Sequence, residues 1–312
     1  SSSFNTERID HLMEDKNYKN KFFLHYGDLT DSDSIFKIIN LVRPQEIYNL
    51  GAQSHVGVSF ENPIYTAEVS ALGALRILEI IRFLKLKTKF YQATTSELFG
   101  EKGKNLKFNE KSNLNPKSPY GVSKLFAHHI TKVYRESYGI YAASGILFNH
   151  ESPRRGETFV TRKITMFLAK YLSGKKSILK LGNIYAKRDW GHAKDYVEMQ
   201  WRILQQQKPD DYIISTDKTY SVKEFINLAC KILNLKIIWR GKGKDERAYL
   251  NKVNKKNLFI KVDKKYFRPL DINYLRGDCA KARKELKFKP EYDFKNLVKE
   301  MILSDLKKYN SI

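Results

Sequence analysis

Cysteine is scarce in this chain, and long apolar runs are missing from it. The 312 residues include only two cysteines, Cys230 and Cys279, which lie too far apart to suggest a disulfide scaffold and favour a reducing compartment. The longest apolar runs, such as residues 77–84, are interrupted by charged side chains and fall short of a membrane span. The first residues do not have the basic-then-apolar layout of a secretory signal. We therefore expect a cytoplasmic protein without a membrane anchor.

Positive charge is the strongest bias in the composition, with a net charge of +23. A charge of this size can mark a polyanionic partner such as nucleic acid. The lysines, however, are spread through several stretches of the chain, and no nucleic-acid-binding motif accompanies them. We therefore favour a solvated basic surface over a nucleic-acid interface, and we expect neither nucleic acid nor metal as a ligand.

Short apolar runs alternate with helical periodicity up to residue 150, and the pattern loosens afterwards. The first part predicts strands over 22–26, 46–50, 88–94 and 141–148, and helices over 31–43, 63–84 and 120–138. The second part predicts helices over 191–204, 221–233 and 294–309, a strand over 211–215, and an irregular basic stretch over 236–265. Strict alternation indicates parallel βαβ units, and so an α/β fold with a doubly wound, Rossmann-type sheet.

We expect a smaller α/β domain interwoven with the first. The expected division assigns residues 1–150 and 191–217 to a cofactor-binding domain, and residues 151–190 and 218–312 to a substrate-binding domain.

Two polar clusters carry the chemistry. Tyr120 and Lys124 lie four residues apart in a predicted helix, which places them on one face. A phenol beside an ammonium is expected to have a pKa below its usual value of about 10, because the cation stabilises the phenolate. Thr95 and Glu97 follow the third predicted strand and add a hydroxyl and a carboxylate. Together the clusters predict carbonyl–alcohol redox on a nicotinamide cofactor, combined with acid–base steps.

The unusual polar residues fall at the carboxyl ends of the predicted strands, where a doubly wound sheet binds its ligands. They are Asp28, the segments 51–55 and 94–97, and Asn149 with His150. Each alone has an ordinary structural explanation, such as a helix cap for Glu97 or a satisfied core hydroxyl for Tyr120. Their common placement is what indicates a site.

Longer blocks of sequence carry a family resemblance. The most specific blocks are residues 1–6, 24–29, 48–56, 145–162, 188–197 and 266–269. Through them the chain resembles the extended short-chain dehydrogenase/reductase superfamily and, within it, the GDP-mannose 4,6-dehydratase family. The resemblance runs from the first residue to the last predicted helix.

The resemblance implies a reaction and four catalytic roles. Tyr120, as phenolate, removes the proton of the hexose C4 hydroxyl while a hydride leaves C4 for NADP+. Lys124 holds the nicotinamide ribose, and Thr95 hydrogen-bonds the C4 oxygen. Glu97 removes the C5 proton and supplies the proton for the water lost from C6, and the hydride returns to C6. The implied product is GDP-4-keto-6-deoxy-mannose, on the route to GDP-deoxyhexoses such as GDP-fucose.

The same resemblance implies further ligand-binding residues, with GDP-mannose as substrate and NADP favoured over NAD. The implied cofactor-binding residues are Ser1, Ser2, Asp28, Leu29, Leu50, Gly51, Ala52, Gln53, Ser54, Tyr65, Lys124, His150 and Arg155. The implied substrate-binding residues are Asn149, Lys163, Arg188 and Arg268. Lys163 is equally compatible with a solvated helix lysine.

The family also begins with a strand and a glycine-rich turn that binds the cofactor pyrophosphate. No G-x-x-G-x-x-G occurs in this sequence, and we expect an N-terminal segment ahead of Ser1 to carry that first strand and loop. In the family, the first loop and the segment matching Arg154 and Arg155 lie at a subunit interface, which implies a homodimer or homotetramer.

Three other functions remain open at this point. The nearest is a related nucleotide-sugar epimerase, or a reductase that uses the dehydratase product. Related epimerases tend to have Ser-Ser or Ser-Ala where this chain has Ser96 and Glu97, so Glu97 favours dehydration. A basic nucleic-acid-binding module and a non-catalytic structural subunit are more distant alternatives.

Overall fold

The computed structural model describes residues 6–101, 106–252, 255–267 and 270–310, and it has an α/β architecture. Its strands are β1 (Glu46–Asn49), β2 (Lys89–Thr95), β3 (Ala142–Leu147), β4 (Asn149–Glu151), β5 (Leu179–Leu181), β6 (Lys187–Arg188), β7 (Trp190–His192), β8 (Asp211–Ile214), β9 (Tyr220–Ser221), β10 (Ile237–Arg240), β11 (Arg247–Lys252), β12 (Lys255–Val262) and β13 (Tyr274–Leu275). Its α-helices are α1 (Asp10–Glu14), α2 (Ser32–Val42), α3 (Val56–Glu61), α4 (Pro63–Ala67), α5 (Gly73–Phe83), α6 (Pro119–Tyr138), α7 (Val160–Leu172), α8 (Ala193–Leu204), α9 (Val222–Ile232), α10 (Ala280–Glu285) and α11 (Phe294–Asn310). Within those ranges, no helix has the length and apolar character needed to cross a membrane.

A parallel sheet with the order β1-β2-β3-β8 confirms the predicted Rossmann-type arrangement. Helices cover both of its faces. On one face, Phe90 of β2 belongs to an apolar cluster with Leu78 of α5. On the other face, Tyr91 belongs to a cluster with Tyr196 of α8. Because both faces are covered, nearly every residue of β2 and β3 is buried.

Helix α6 matches its predicted extent closely. The Ser118 hydroxyl accepts a hydrogen bond from the Gly121 N–H at 3.1 Å, and Pro119 occupies the first helical position. Gly139 ends the helix with a φ of +65°, a left-handed conformation that glycine adopts without a Cβ penalty. The helix predicted over 63–84 is also present, as α4 and α5 joined by the π-helical turn Glu68–Leu72. Local sequence thus fixes both ends of the helix that carries Tyr120 and Lys124.

A second sheet, in the order β10-β11-β12-β5, packs with α7, α9 and α11 around a separate apolar core. The prediction of an irregular stretch over 236–265 is wrong, because β10, β11 and β12 lie there. Ala248 and Leu250 point into the core and alternate with the exposed Arg247 and the half-buried Tyr249. The many lysines of this stretch hide that two-residue alternation in the sequence.

Two other predicted elements differ from the structure. Residues 22–26 form no strand, and Phe23 and Tyr26 are largely exposed. In the described part of the chain, β1 pairs with β2 and has no strand on its other edge, so this extended segment lacks the hydrogen-bonding partner that a strand requires. The helix predicted over 191–204 begins later, at Ala193, because Trp190–His192 pairs with β4 as β7.

Candidate active site

Tyr120 and Lys124 occupy the first turns of α6, and both side chains are buried. The Lys124 ammonium donates to the carbonyl oxygen of Ala93 in β2 at 2.9 Å. The Tyr120 hydroxyl is hydrogen-bonded with Thr95, the last residue of β2. The helix therefore brings its phenol and its ammonium to the carboxyl end of the central strands, as the four-residue spacing predicts.

Thr95 and Glu97 are placed by a sharp turn after β2. The Thr95 hydroxyl accepts from the Glu97 N–H at 3.2 Å and caps the short 3₁₀ helix Ser96–Leu98. The start of α6 packs tightly against this turn, since a Cβ built on Gly121 would lie 3.1 Å from the Glu97 carbonyl oxygen. Glu97 is 9 % exposed, and its charge raises the pKa of Tyr120. The structure thus assembles Thr95, Glu97 and Tyr120 as one buried cluster with Lys124 a turn away.

The expected lowering of the phenol pKa is absent from this structure. Burial raises the pKa of Tyr120 to about 12, and the charge of Glu97 adds to the increase, while the Thr95 hydrogen bond and the charge of Arg155 oppose it. Burial also lowers the pKa of Lys124 to about 8. The expectation considered only the attraction between ammonium and phenolate, whereas in a buried site the loss of solvation dominates both groups.

Arg155 and His150 reach the same cluster from β4 and the loop after it. Arg155 pairs with the buried carboxylate of Glu151 at 3.1 Å and lies 3.7 Å from the centroid of the Phe159 ring. The His150 Nδ1–H donates to the Phe148 carbonyl at 2.9 Å, and its ring stacks on Tyr196. Burial lowers the pKa of His150 to about 4, so the imidazole is neutral near pH 7.

A second group of predicted cofactor residues gathers around the carboxyl end of β1. Asp28 accepts from the N–H and the hydroxyl of Thr30 at 2.9 and 2.8 Å, and these bonds lower the pKa of its carboxyl. Leu29 packs against Gly51 so closely that a Cβ there would lie 2.4 Å from Leu29 Cδ1. Gly51 therefore allows the loop after β1 to pass over Leu29.

The remainder of that loop turns into α3. The side-chain oxygen Oε1 of Gln53 accepts from the His55 N–H at 2.7 Å, Ala52 is half-buried, and Ser54 is exposed. Leu50 and Tyr65 are 56 % and 54 % exposed, so they offer apolar surface to a ligand beside this loop. Ser1 and Ser2 lie outside the described residues.

The predicted substrate residues that the structure describes lie in three different elements, β4, β6 and α7. Asn149 is half-buried in β4, and Arg188 is buried in β6, where it also donates to the Lys187 carbonyl at 3.0 Å. Lys163 lies elsewhere, in a groove of about 400 Å³, donating to the Lys180 carbonyl at 2.8 Å and lying 4.0 Å from the Tyr266 ring centroid. Arg268 lies outside the described residues.

The family model for GDP-mannose 4,6 dehydratase matches residues 1–301 of this chain. The GDP-mannose 4,6-dehydratase of Vibrio cholerae serotype O1 is 52% identical over 322 residues, which covers 100% of this chain and 86% of that protein. The chain belongs to the GDP-mannose 4,6-dehydratase family. The GDP-mannose 4,6 dehydratase of Homo sapiens is 47% identical over 310 residues, covering 98% of this chain and 82% of the human protein.

Membership of the GDP-mannose 4,6-dehydratase family confirms the resemblance that the sequence blocks indicated. Among solved structures, RMD from Pseudomonas aeruginosa complexed with NADPH has a TM-score of 0.77 at 20% identity, and the match covers 96% of this chain and 95% of RMD. At that identity the likeness concerns the fold, and it agrees with the Rossmann-type sheet described above.

Three residues that shape the site were not among those predicted. Glu151 holds Arg155, Gly121 permits the close approach to Glu97, and Gln92 lies buried one residue before the carbonyl that holds Lys124. A signal existed for Gln92, since an amide in the middle of a strand predicted to be buried needs a partner. The need for a glycine at 121 is visible only once the turn of Ser96–Leu98 is placed against α6.

Proposed function

We propose that this protein dehydrates GDP-mannose to GDP-4-keto-6-deoxy-mannose, with NADP as its cofactor. The observation that carries the proposal is the buried cluster of a carboxylate, a hydroxyl and a phenol, Glu97, Thr95 and Tyr120, in a member of the dehydratase family. Redox at a carbinol needs only a phenol, an ammonium and a hydroxyl. The added carboxylate provides the base and acid that removal of water requires.

The residues present fit a nicotinamide cofactor. Lys124 is a buried cation, and the Ala93 carbonyl accepts only one of the three hydrogens of an ammonium, so hydrogens remain for the hydroxyls of a ribose. Leu50 and Tyr65 add exposed apolar surface, and Gly51 removes a side chain from the intervening loop. We propose that Lys124, His150 and Arg155 hold the nicotinamide end, and that the residues after β1, with Asp28 and Leu29, hold the adenosine end. When bound, NADP supplies the hydride-transfer chemistry between C4 and C6 of the hexose.

The chain's own residues carry the protons. Tyr120 receives the proton of the C4 hydroxyl, and the Thr95 hydroxyl hydrogen-bonds the oxygen that becomes the ketone. Glu97 takes the proton from C5, which the neighbouring ketone makes acidic, and passes a proton to the C6 hydroxyl as it leaves as water. C5 later regains a proton, and release of the proton held at Tyr120 compensates for it. The net change is therefore the loss of one water.

We propose that residues 1–150 and 191–217 bind the cofactor, and that residues 151–190 and 218–312 bind the nucleotide sugar. Arg188 and Arg268 of the second part serve the nucleotide sugar, together with Asn149 at the end of the first part. Lys163 can reach an anionic ligand in the groove beside Tyr266 if it leaves the Lys180 carbonyl.

A test of the function uses GDP-mannose with catalytic NADP+. The expected result is a ketosugar formed without net change in cofactor absorbance. Steady consumption of NADPH would indicate a reductase, and an epimerised sugar without loss of water would indicate an epimerase.

Glu97→Gln tests the carboxylate directly. The variant should still bind the cofactor, because the amide keeps the shape of the side chain, but it should lose exchange of the C5 hydrogen with solvent deuterium and lose turnover. Mass spectrometry of the recovered sugar in deuterium oxide measures the exchange. Retained exchange would remove Glu97 from the role of base.

We propose that the protein is a homodimer or a homotetramer. Helix α6 presents an apolar stripe to solvent through Val122, Phe126 and Val133, which are 55 %, 39 % and 46 % exposed, and Ile64 of the neighbouring α4 is 80 % exposed. Such a stripe on two adjacent helices favours association with a second copy. Phe126→Glu should lower the molar mass measured by light scattering toward that of one chain, whereas Lys132→Glu, on the same helix, should not. A wild-type chain that is monomeric and fully active would contradict the proposal.

A further inference from the structure

A line of buried hydrogen bonds runs from the end of β1 to the ammonium of Lys124. The Asn49 amide donates to the Gln92 side-chain oxygen at 2.8 Å. The Gln92 amide donates in turn to the Ala93 carbonyl at 2.8 Å, and Lys124 donates to the same carbonyl at 2.9 Å. Two nitrogens, one from the strand and one from the helix, therefore converge on one oxygen.

The two amides belong to a polar row that crosses the sheet, because Ser144 of β3 is paired with Gln92, and Asp211 of β8 with Ser144. Asn49 and Gln92 are direct partners across β1 and β2, and two residues earlier on the same face Phe90 belongs to the apolar cluster with α5 and α6. Gln92 has no exposed surface, and Asn49 is 5 % exposed. Buried amides are costly unless they are hydrogen-bonded, and an apolar pair would fill this space at no such cost. Their presence calls for an explanation beyond packing.

The direction of the line is fixed by its own chemistry. Asn49 presents its NH₂ group to the Gln92 oxygen, so Gln92 must present its NH₂ group to Ala93. Ala93 lies one residue beyond the last pair of β1 and β2, where the sheet opens toward the loop after β1. The amide of Gln92 thus holds the carbonyl that in turn holds Lys124, at the point where the predicted cofactor loop leaves the sheet.

We propose that Gln92 is a positioning residue of the active site, which, anchored by Asn49, orients the Ala93 carbonyl and through it the ammonium of Lys124. The kinetic part of this inference rests on the proposed dehydration. The positioning itself is a property of the protein without ligands.

Other titratable groups around this end of α6 come from three elements. Tyr120 lies on α6 itself, Glu97 follows β2, and Arg155 comes from the loop before α7; the charges of Glu97 and Arg155 both act on the pKa of the Tyr120 phenol. His128, the next turn of α6, faces Asp211 of β8. A charge placed at position 92 would therefore be a new influence on Lys124 from the side of β1.

Two variants and one control test the inference. Gln92→Leu removes both hydrogen bonds at nearly constant volume. Gln92→Glu keeps the shape and places a negative charge beside Lys124. Thr131→Val is the control, because Thr131 is fully buried on the same helix and donates to the Ala127 carbonyl at 2.7 Å, away from the line of amides.

The first measurement is the pKa of Lys124 in the ligand-free protein, by NMR titration of ¹³C-labelled lysine with Lys124→Met for assignment. Gln92→Leu should lower this pKa, because the Ala93 carbonyl that accepts from the ammonium is no longer held in place. Gln92→Glu should raise it by on the order of one unit where the new carboxyl is ionised. Thr131→Val should leave it unchanged. An unshifted Lys124 in a folded Gln92→Leu variant overturns the inference, whatever the enzyme proves to catalyse.

The second measurement is the turnover of GDP-mannose. Gln92→Leu should lower kcat about tenfold, the size expected for one lost hydrogen bond to a catalytic group, and leave the KM for GDP-mannose within twofold. Thr131→Val should leave both constants unchanged. An unaltered kcat in a folded Gln92→Leu variant overturns the inference. If the wild-type protein does not dehydrate GDP-mannose, the proposed function fails while the NMR titration still decides the positioning role.

Discussion

Replacing Gly121 by alanine tests whether tight packing between α6 and the turn after β2 sets the geometry of the active site. A Cβ at this position would lie 2.9 Å from the Pro116 Cβ and 3.1 Å from the Glu97 carbonyl oxygen. Non-bonded heavy atoms prefer separations of about 3.5–4.0 Å. The added methyl therefore pushes the start of α6 and the Glu97 segment apart by several tenths of an ångström.

The expected magnitudes follow from this overlap. Overpacking of this kind costs about 1–3 kcal/mol in the free energy of unfolding. Alanine in place of a helical glycine returns about 0.5–1 kcal/mol, so the net loss should be about 0.5–2 kcal/mol. A displacement of about 1 Å in a reacting group costs on the order of 100-fold in rate, so this smaller shift should lower kcat by about tenfold.

Gly139 at the other end of the same helix provides the matched control. Its φ is +65°, and a Cβ there would meet no atom within 4 Å. Gly139→Ala should cost about 1 kcal/mol through the left-handed backbone alone and leave kcat unchanged. Urea unfolding measures the stability of both variants, and ketosugar formation from GDP-mannose measures kcat. A Gly121→Ala enzyme with wild-type kcat would refute the claim that this contact positions Glu97 against Tyr120.

Two further predictions concern the charges of Tyr120 and Lys124. Burial lowers the pKa of Lys124 from 10.5 to about 8, so the unfolded chain binds more protons between these values and the stability of the protein should rise with pH across that window. Lys124→Met should therefore be inactive, yet more stable than the wild type at pH 7 by about 2 kcal/mol in the free energy of unfolding. Urea unfolding should show this difference closing between pH 8 and 10.5. An unchanged or larger difference at pH 10.5 would contradict the buried cation. Burial holds the pKa of Tyr120 at about 12 in the ligand-free protein, and the positively charged nicotinamide ring of NADP+ should lower it more than the neutral ring of NADPH does. Ultraviolet titration of phenolate absorbance, with Tyr120→Phe as the reference, measures this pKa, and equal values with both forms of the cofactor would count against the electrostatic explanation.

Sequence reasoning predicted most of what local chemistry decides. The helices predicted over 120–138 and 221–233 are present with close to these bounds: Ser118 caps α6, Gly139 ends it in a left-handed conformation, and Ser221 forms a capping box with Glu224. The alternation of strands and helices predicted the parallel sheet, and the four-residue spacing predicted that Tyr120 and Lys124 share a face. These features depend on residues close in the chain, and so the sequence contains enough information to predict them.

The parts that sequence reasoning did not predict depend on long-range pairing. Residues 22–26 have the composition of a strand but no strand partner in the described chain. Strands β10 to β12 were hidden because many lysines lie within and between them and obscure the alternation in the sequence. Gln92 and Asn49 meet only through the register of β1 against β2. The pKa of Tyr120 depends on total burial, which no spacing rule supplies.

The pKa values of Tyr120 and Lys124 shift in opposite directions, and these shifts determine which neighbouring groups the reaction depends on. In water, an amine of pKa 10.5 and a phenol of pKa 10.0 have nearly equal affinity for a proton, but burial moves the first to about 8 and the second to about 12. The ligand-free site therefore favours the neutral phenol and weakens the preference of Lys124 for the ammonium form, so both shifts oppose the phenolate and ammonium that catalysis needs. Any group that stabilises the ammonium offsets the shift at Lys124. The Ala93 carbonyl does so directly, and the Gln92 amide keeps that carbonyl in place, so Gln92 supports the protonation state from which Tyr120 can act.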